Sequence, residues 1–183
     1  VDTLLPEMEE EILSVDNVQR ATDSGRRSRF RVVVAVGNKN GYVGVGEEKG
    51  KEIGPTIRKA IVRAKLNIRE VMRACSSWEC GCGQPHSIPF TVQGKTGSVR
   101  VTIKPAPVGT GLISGEIARK ILTLAGIKDA RTHTEGHTRT SLNFAHAVFE
   151  ALGNLNKTKV SQKEIKCLNI ISGAVSEKAE SIQ

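Results

Sequence analysis

Residues 24–74 read SGRRSRFRVVVAVGNKNGYVGVGEEKGKEIGPTIRKAIVRAKLNIREVMRA and contain an arginine-rich loop, two apolar strands and a basic helix. The first strand, Phe30–Val36, includes a run of β-branched residues that favours extended structure. Asn40-Gly41 predicts a type I′ hairpin turn, because that turn needs positive φ at both central residues. The return strand, Tyr42–Val45, alternates Val with Gly, which indicates that another backbone approaches it closely.

A basic helix is predicted to follow the hairpin and to extend to Ala74. Pro55 suits its first position, because the missing N–H of proline would be unpaired there anyway. Apolar residues at three- and four-residue steps form the stripe that packs on the hairpin, namely Ile57, Ile61, Ala64, Ile68 and Val71. The other faces of this helix are rich in cations: Arg58, Lys59, Arg63, Lys65, Arg69 and Arg73.

A further strand is predicted before the hairpin, within Ile12–Ala21, and the loop Thr22–Arg29 joins the two. The order β-β-β-α over residues 12–74 resembles a double-stranded-RNA-binding domain without its leading helix. An acidic segment, residues 1–11, precedes this unit.

Residues 75–89 are rich in Gly, Pro, Ser and Cys and predict a linker between two domains. Residues 90–153 predict a compact α/β sandwich. Its elements are strands at Phe90–Val92 and Ser98–Ile103, a helix from Ser114 to Ala125, a strand at Ile127–Thr132 and a helix from Ser141 to Leu152. Residues 154–183 are weakly periodic and are interpreted as an extension that either docks on a partner or stays mobile. The predicted class is therefore α+β with two domains.

The chain of 183 residues carries a formal net charge of +8, which favours a polyanionic partner: nucleic acid or an anionic membrane surface. No apolar run approaches the roughly 20 residues that span a bilayer, and we expect a cytoplasmic protein without a membrane association. A basic helix can also be an ordinary solvated face. The arginine loop favours nucleic acid, and the candidate RNA-binding residues are Ser24, Gly25, Arg26, Arg27, Arg29, Arg31, Lys39, Asn40, Lys49, Lys51, Arg58, Lys59 and Arg63.

Aromatic residues are scarce: four Phe, one Tyr and one Trp. Readers of single-stranded RNA stack bases on several exposed rings. We therefore expect contacts to phosphate and recognition of RNA shape, with little base stacking.

Three cysteines and a histidine lie within twelve residues of the linker, in the pattern Cys75-x4-Cys80-x-Cys82-x3-His86. These four side chains could complete a tetrahedral zinc site, and a full set of four protein ligands indicates a structural role. The Cys-x-Cys spacing is less usual than Cys-x2-Cys, and reduced thiols in a linker are the alternative interpretation.

The sequence predicts no enzyme and no small-molecule substrate, because no nucleophile with a base and no paired carboxylates stand out. PAPVGTGLISGE, residues 105–116, is a Gly-rich loop before a helix, but it lacks the Lys-Ser/Thr of a Walker A loop. It faintly resembles the phosphate loop of small-molecule kinases of the galactokinase–homoserine kinase superfamily. That alternative lacks a recognisable magnesium ligand and base.

Four ordered motifs together resemble one family, the small-subunit ribosomal protein five family, over residues 12–153. The motifs are TDSGRRSRFRVVVAVGNKNGYVGVG (22–46), GPTIRKAIVRAKLNI (54–68), GSVRVTIKPAPVGTGLISG (97–115) and SLNFAHAVFEAL (141–152). A fifth stretch, SSWECGCGQPHSIPF (76–90), is similar to the archaeal–eukaryotic branch of that family.

The resemblance implies an N-terminal double-stranded-RNA-binding-like module and a C-terminal β-α-β sandwich with a left-handed crossover. It implies binding to small-subunit rRNA near the mRNA entry channel, contacts with ribosomal proteins four and eight, an influence on decoding accuracy, and no enzymatic activity. The family's loop between its first two strands reaches the head–body junction beside the spectinomycin site; here Ser24-Gly25-Arg26-Arg27 match it. A free-standing double-stranded-RNA-binding regulator is the alternative function. The cysteine cluster is absent from the family's bacterial pattern, so the resemblance does not itself imply zinc.

Overall fold

The computed structural model describes residues 8–173 and confirms the predicted α+β class. The first part contains β1 (Glu9–Thr22), β2 (Gly25–Gly37), β3 (Tyr42–Gly50), α1 (Ile53–Leu66), β4 (Ile68–Glu70) and β5 (Met72–Arg73). The second part contains β6 (Val92–Thr96), β7 (Val99–Pro105), β8 (Leu112–Ile113), α2 (Glu116–Leu124), β9 (Ala130–Glu135), α3 (Ser141–Leu155), α4 (Gln162–Leu168) and β10 (Ile171–Ser172).

The N-terminal sheet has the antiparallel order β1-β2-β3-β4, and its inner part is covered on both faces. Val32, Val34 and Val36 of β2 pack against α1. The intervening Val33 and Ala35 face the other way and share one core with the second domain. Because successive strand residues point to opposite faces, a continuous apolar run is what a strand buried on both sides needs.

Glycines in β3 allow α1 to lie directly on the sheet. A Cβ atom at Gly44 would collide with the carbonyl oxygen of Ala64, and one at Gly46 would collide with the backbone nitrogen of Ala64. The expectation that another backbone approaches this strand closely is confirmed.

The basic helix is shorter than predicted. It ends at Leu66, with Asn67 as its C-cap, instead of continuing to Ala74. Ile68 keeps the helical spacing of the apolar stripe but lies in β4, where Ile68–Glu70 pairs with β3. The backbone hydrogen bonds of that edge pairing override the helical periodicity. Helix α1 also starts earlier than predicted, so that Pro55 is its third residue.

The predicted loop Thr22–Arg29 is mostly strand. Thr22 pairs with Gly25, so only Asp23 and Ser24 form the turn, and the arginines that follow belong to β2. The prediction failed because this part of the hairpin has solvent on both faces and carries no apolar alternation.

The type I′ turn predicted at Asn40-Gly41 is also wrong. Positive φ occurs at Lys39 (55°) and Gly41 (93°), with Asn40 outside that region. The Asn38 side-chain oxygen accepts hydrogen bonds from the backbone N–H groups of Asn40 (2.8 Å) and Tyr42 (3.1 Å). That side chain organises a four-residue loop in place of the two-residue turn.

The second sheet has the order β6-β7-β9-β8, with β8 and β9 parallel and joined through α2. The hand of this crossover stays a prediction. Strand β9 starts three residues later than predicted and extends to Glu135, while α3 continues to Leu155 with Thr140 as its N-cap. The N-cap of α2 is Gly115, one residue after the predicted Ser114.

The end of the described chain packs back on the protein. Strand β10 pairs with β5, with Ile171 opposite Arg73. Of the predicted extension 154–183, residues 154 and 155 complete α3, residues 168–173 dock on β5 and the loop that follows it, and residues 174–183 lie outside the described part. The predicted acidic segment 1–11 contributes residues 9–11 to β1, and residues 1–7 lie outside the described part. Between residues 8 and 173, none of the helices has the length and apolar character needed to cross a membrane.

Candidate nucleic-acid interface and metal-binding cluster

The outer part of the β1–β2 hairpin, residues 18–29, projects beyond the core and is termed the arginine arm. Every residue from Asp23 to Arg29 is exposed. The arm is nevertheless regular sheet, because the pairing of β1 with β2 continues to Thr22 and Gly25. The local sequence folds this way because Asp23 and Ser24 form the turn and Gly25 supplies a positive φ of 117°.

Five cations share one face of this sheet at and below the arm. Arg27, Arg29 and Arg31 alternate along β2 and therefore point to the same side. Arg20 lies directly opposite Arg27, and Lys49 lies directly opposite Arg31. Directly opposite residues share a face, so the register brings like charges together.

Acidic residues offset only part of this charge. Residues 18–29 contain one acid, Asp23 in the exposed turn, whereas Asp16 opposite Arg31 and Glu47 on β3 belong to the base of the arm. Within residues 8–173, neither Arg20, Arg27 nor Arg29 forms an ion pair. Like charges opposite each other destabilise a strand pair unless a counterion is present. The arrangement is therefore suited to binding a polyanion.

The cations of α1 lie on the other side of the sheet, the side to which Arg26 points. Arg58 and Lys59 are exposed. Arg63 donates a hydrogen bond to Glu48, which lowers the pKa of that carboxyl and raises the pKa of Arg63. Arg63 is thus neutralised within the protein, whereas Arg58 and Lys59 remain open to solvent.

Of the remaining candidates, Lys51 is exposed just before α1, and Ser24 and Gly25 form the tip of the arm. Lys39 and Asn40 lie at the opposite end of β2, about 40 Å from the tip by strand length. Lys39 Nζ is 2.6 Å from a carboxylate oxygen of Glu9, and the Asn40 side chain accepts a hydrogen bond from Arg73 at 2.7 Å. The structure does not bring these two residues together with the arm.

The second candidate site is the group Cys75, Cys80, Cys82 and His86. Their ligand atoms all lie within 4.8 Å of one another. The sulfurs of Cys75 and Cys82 are 3.5 Å apart, and the Cys80 sulfur is 3.6 Å from His86 Nε2. A tetrahedral zinc ion keeps sulfur and nitrogen ligands about 3.5–3.8 Å apart, so this donor set fits zinc. The structure brings together all four side chains that the sequence pattern predicted.

The cluster contains thiols in two different environments. Burial raises the pKa of Cys75 to about 11. The backbone N–H groups of Val108 and Cys82 lower the pKa of Cys80 to about 6. The lowered pKa favours the thiolate form of Cys80 at neutral pH, which is the form that binds a metal.

His86 connects the cluster to the second domain. Its Nδ1 atom is 2.9 Å from Asp129 Oδ2, and both side chains are buried. The other carboxylate oxygen of Asp129 accepts the Gly111 N–H at 2.8 Å. Metal-binding histidines usually have a carboxylate beside the nitrogen that does not bind the metal, because the carboxylate fixes the orientation of the ring. Sequence spacing could not identify Asp129, which follows His86 by more than forty residues.

Comparison with known proteins decides the family. The model of the ribosomal protein S5 N-terminal domain matches residues 8–72, and that of the ribosomal protein S5 C-terminal domain matches residues 94–165. The chain belongs to the ribosomal protein S5 family. The two separate matches confirm the two-domain organisation, and membership of the S5 family confirms the expectation that the chain is not an enzyme.

Archaeal relatives extend the similarity to the S5 family over most of the chain. The small ribosomal subunit protein uS5 of Methanocaldococcus jannaschii is 58% identical over 175 residues, 96% of this chain and 81% of the relative. The uS5 proteins of Methanothermobacter thermautotrophicus and Thermoplasma acidophilum are 54% and 51% identical, over 94% and 96% of this chain and 80% and 79% of each relative.

The Cys/His cluster lies between the two regions matched by the S5 family models. Residues 75–86 follow the end of the first match and precede the second. The family match therefore does not cover the cluster, and the support for a metal site is the geometry of the four side chains.

Sequence analysis missed one member of the cationic face, Arg20. The signal was the two-residue turn at Asp23-Ser24, because counting back from that turn places Arg20 opposite Arg27. Because residues 22–29 are predicted as a loop from the sequence, the pairing of Arg20 with Arg27 is not predicted.

Proposed function

We propose that this S5-family chain is a cytoplasmic structural constituent of the small ribosomal subunit that binds rRNA through the arginine arm and the exposed cations of α1. The observation that supports this is the cationic face of the arm, where Arg20, Arg27 and Arg29 have no acidic partner within residues 8–173. Phosphate groups of folded RNA would supply the missing countercharge.

The mode of contact follows from what the arm lacks. It holds no aromatic residue, and Phe30 at its base is half-buried. Contacts to phosphate position a protein on RNA without reading its sequence, whereas base recognition needs stacking platforms or base-edge contacts. The arm would therefore recognise the shape and charge of an RNA element.

The family resemblance supports a finer proposal. A location near the mRNA entry channel, contacts with ribosomal proteins four and eight, and an influence on decoding accuracy would follow from assembly at the family's position. In that position Ser24-Gly25-Arg26-Arg27, at the tip of the arm, would reach the head–body junction.

Removal of two arm charges tests the rRNA proposal. For the double variant Arg26→Ala with Arg27→Ala, we expect the affinity for full-length small-subunit rRNA to fall roughly tenfold or more. The slope of log K against log salt should flatten by about 0.7–0.9 per lost phosphate contact. The matched control is Lys157→Ala with Lys159→Ala, which removes the same net charge from an exposed segment after α3. Equal slopes for the arm variant and the unaltered protein would refute the proposal.

The alternative, a free-standing double-stranded-RNA-binding regulator, is favoured by the β1-β2-β3-α1 order of the N-terminal domain. Sedimentation of cell lysate separates it from the ribosomal role. Co-migration with small subunits at moderate salt supports the ribosomal role, and a position at the top of the gradient supports the regulator.

We also propose that the Cys/His cluster binds one structural zinc ion. The distances between its ligand atoms and the contact of Asp129 with His86 support this assignment, and four protein ligands leave no open coordination position for substrate. Elemental analysis should find one zinc per chain, lost in Cys80→Ser with Cys82→Ser and retained in Cys167→Ser, whose exposed thiol lies outside the cluster. A folded, metal-free native protein would contradict this.

A further inference from the structure

We propose that zinc in the Cys/His cluster controls the docking of residues 161–173, termed the C-terminal segment, and that the docked segment in turn retains the zinc. This inference rests on the proposed zinc occupancy. It adds that the metal has a second effect on the same chain, at a segment that contributes no ligand.

The C-terminal segment contacts the ligand loop, residues 75–86, near both ends. The backbone N–H of Cys75 donates to the carbonyl oxygen of Leu168 at 3.2 Å. The side-chain amide of Asn169 donates to the carbonyl oxygen of Gly83 at 2.5 Å. The segment therefore bridges the first ligand and the residue after Cys82, and a change in the loop's shape would break one contact or both.

The docking continues on the strand that leads into the loop. Ile171 pairs with Arg73, two residues before Cys75. The Arg73 guanidinium also donates to the carbonyl oxygen of Gly173 at 3.1 Å. The contacts of the segment with β5 and with the loop thus form one continuous interface.

The segment has little of its own to hold it in place. Helix α4 has seven residues, and helices this short are marginal in water even with a capping box such as that of Ser161 and Glu164. Ile165, its large apolar residue nearest the middle, is 41% exposed. Leu168, Ile170 and Ile171 are half-buried, so docking combines partial apolar burial with the hydrogen bonds to residues 73–83.

The loop that receives the segment is equally poor in core contacts. Gly81 and Gly83 have no other atoms within 4 Å of the position a Cβ would occupy, and Trp78 is 92% exposed. What converges within the loop is the set of four ligand atoms. A metal would replace the missing core and fix the positions of the Cys75 N–H and the Gly83 carbonyl.

The fourth ligand fixes the other side of the loop. The backbone N–H groups of Lys128 and Asp129 both donate to the carbonyl oxygen of His86, at 2.9 and 3.1 Å. Backbone hydrogen bonds between Ala74 and Ser87 already join the two ends of the loop. Because His86 is held to the second domain, a metal that joins it to Cys75 would add a second connection next to the strand entering the loop. The C-terminal segment docks on that strand.

Coupling between the two events is reciprocal by thermodynamic linkage. If zinc favours the docked segment, the docked segment must favour zinc by the same factor. A coupling of the usual size changes each equilibrium roughly 5- to 150-fold.

Amide hydrogen exchange of the full-length protein tests the first direction. In the zinc-loaded protein, amides of residues 163–172 should be protected; treatment with a chelator, or Cys80→Ser, should accelerate their exchange roughly fivefold or more. Residues 32–36 of β2 should keep their protection, and Cys167→Ser should behave as the unaltered protein. Stoichiometric zinc with unchanged exchange in 163–172 after its removal would overturn this inference alone. Native protein without zinc would overturn the zinc proposal and this inference together.

Asn169→Gly tests the reverse direction with every ligand intact. Asn169 has a φ of 48°, so glycine keeps the left-handed conformation and removes only the amide that contacts Gly83. Zinc loss to a chromogenic chelator should be several-fold faster in this variant than in the unaltered protein. This measurement decides the inference even where Cys80→Ser fails to fold, and equal rates of zinc loss would overturn it.

Discussion

The two halves of β2 belong to one strand but have opposite surroundings. Residues 32–37 are completely buried, with α1 on one face and the second domain on the other. Residues 25–29 are all exposed, and three of those five are arginine. Pairing with β1 continues across both halves, so the difference lies in what covers the strand and not in its backbone.

The two halves of β2 therefore have different roles, the inner half in stability and the outer half in binding. Register is fixed where a slip would turn apolar side chains into solvent, which is the inner half. The outer half inherits that register, although an isolated two-stranded hairpin is marginally stable in water. The arginines are therefore presented on a preformed arm, which reduces the ordering cost of binding. Substitutions of the inner half should affect stability, and those of the outer half should affect RNA binding.

Gly46→Val should have the largest effect of these substitutions. It should lower the stability of the buried part of the sheet, next to the inner half of β2, and leave the arm unchanged. Gly46 lies opposite Val34, and a Cβ there collides with the backbone of α1 at Ala60 and Ala64. Because a helix backbone cannot move aside as a side chain can, we expect a loss of about 3 kcal/mol or more in the free energy of unfolding. Urea unfolding followed by circular dichroism measures it.

Gly54→Ala is the matched control for Gly46→Val. Gly54 lies in the first turn of α1 and has open space where a Cβ would be. Alanine there should leave the stability unchanged or raise it by up to about 1 kcal/mol. If the two substitutions destabilised the protein equally, the close contact between β3 and α1 would not be the source of stability in the buried part of the sheet.

Prediction from the sequence succeeded where the signal was local and apolar. The β-branched run of β2 predicted a strand, and Gly44 in the strand that follows predicted close approach of a backbone. It failed at residues 22–29, because a strand with solvent on both faces has no apolar period. It also failed at Ile68, where helical spacing persists but pairing with β3 replaces the helix.

For the two candidate sites as well, residues close together in the sequence could be predicted, whereas residues brought together only by the fold could not. The four candidate metal ligands within twelve residues could be found from spacing, whereas Asp129 behind His86 could not, because only the tertiary fold brings it there. The sequence predicts one RNA-binding set that joins Lys39 and Asn40 to the residues of the arm. The length of β2 then separates them from it.

Arg20→Ala should have the smallest effect and gives the sharpest test of the outer half. Arg20 shares the cationic face with Arg27, its cross-strand neighbour. Loss of one phosphate contact should flatten the salt slope of rRNA binding by about 0.7–0.9, while the free energy of unfolding changes by no more than about 0.5 kcal/mol. Gln19→Ala is the control, because Gln19 is exposed and points to the opposite face, across from Ser28. If Gln19→Ala changed the slope as much as Arg20→Ala, the sheet register would not determine which arm residues meet RNA, and the arm would act as an unordered basic loop.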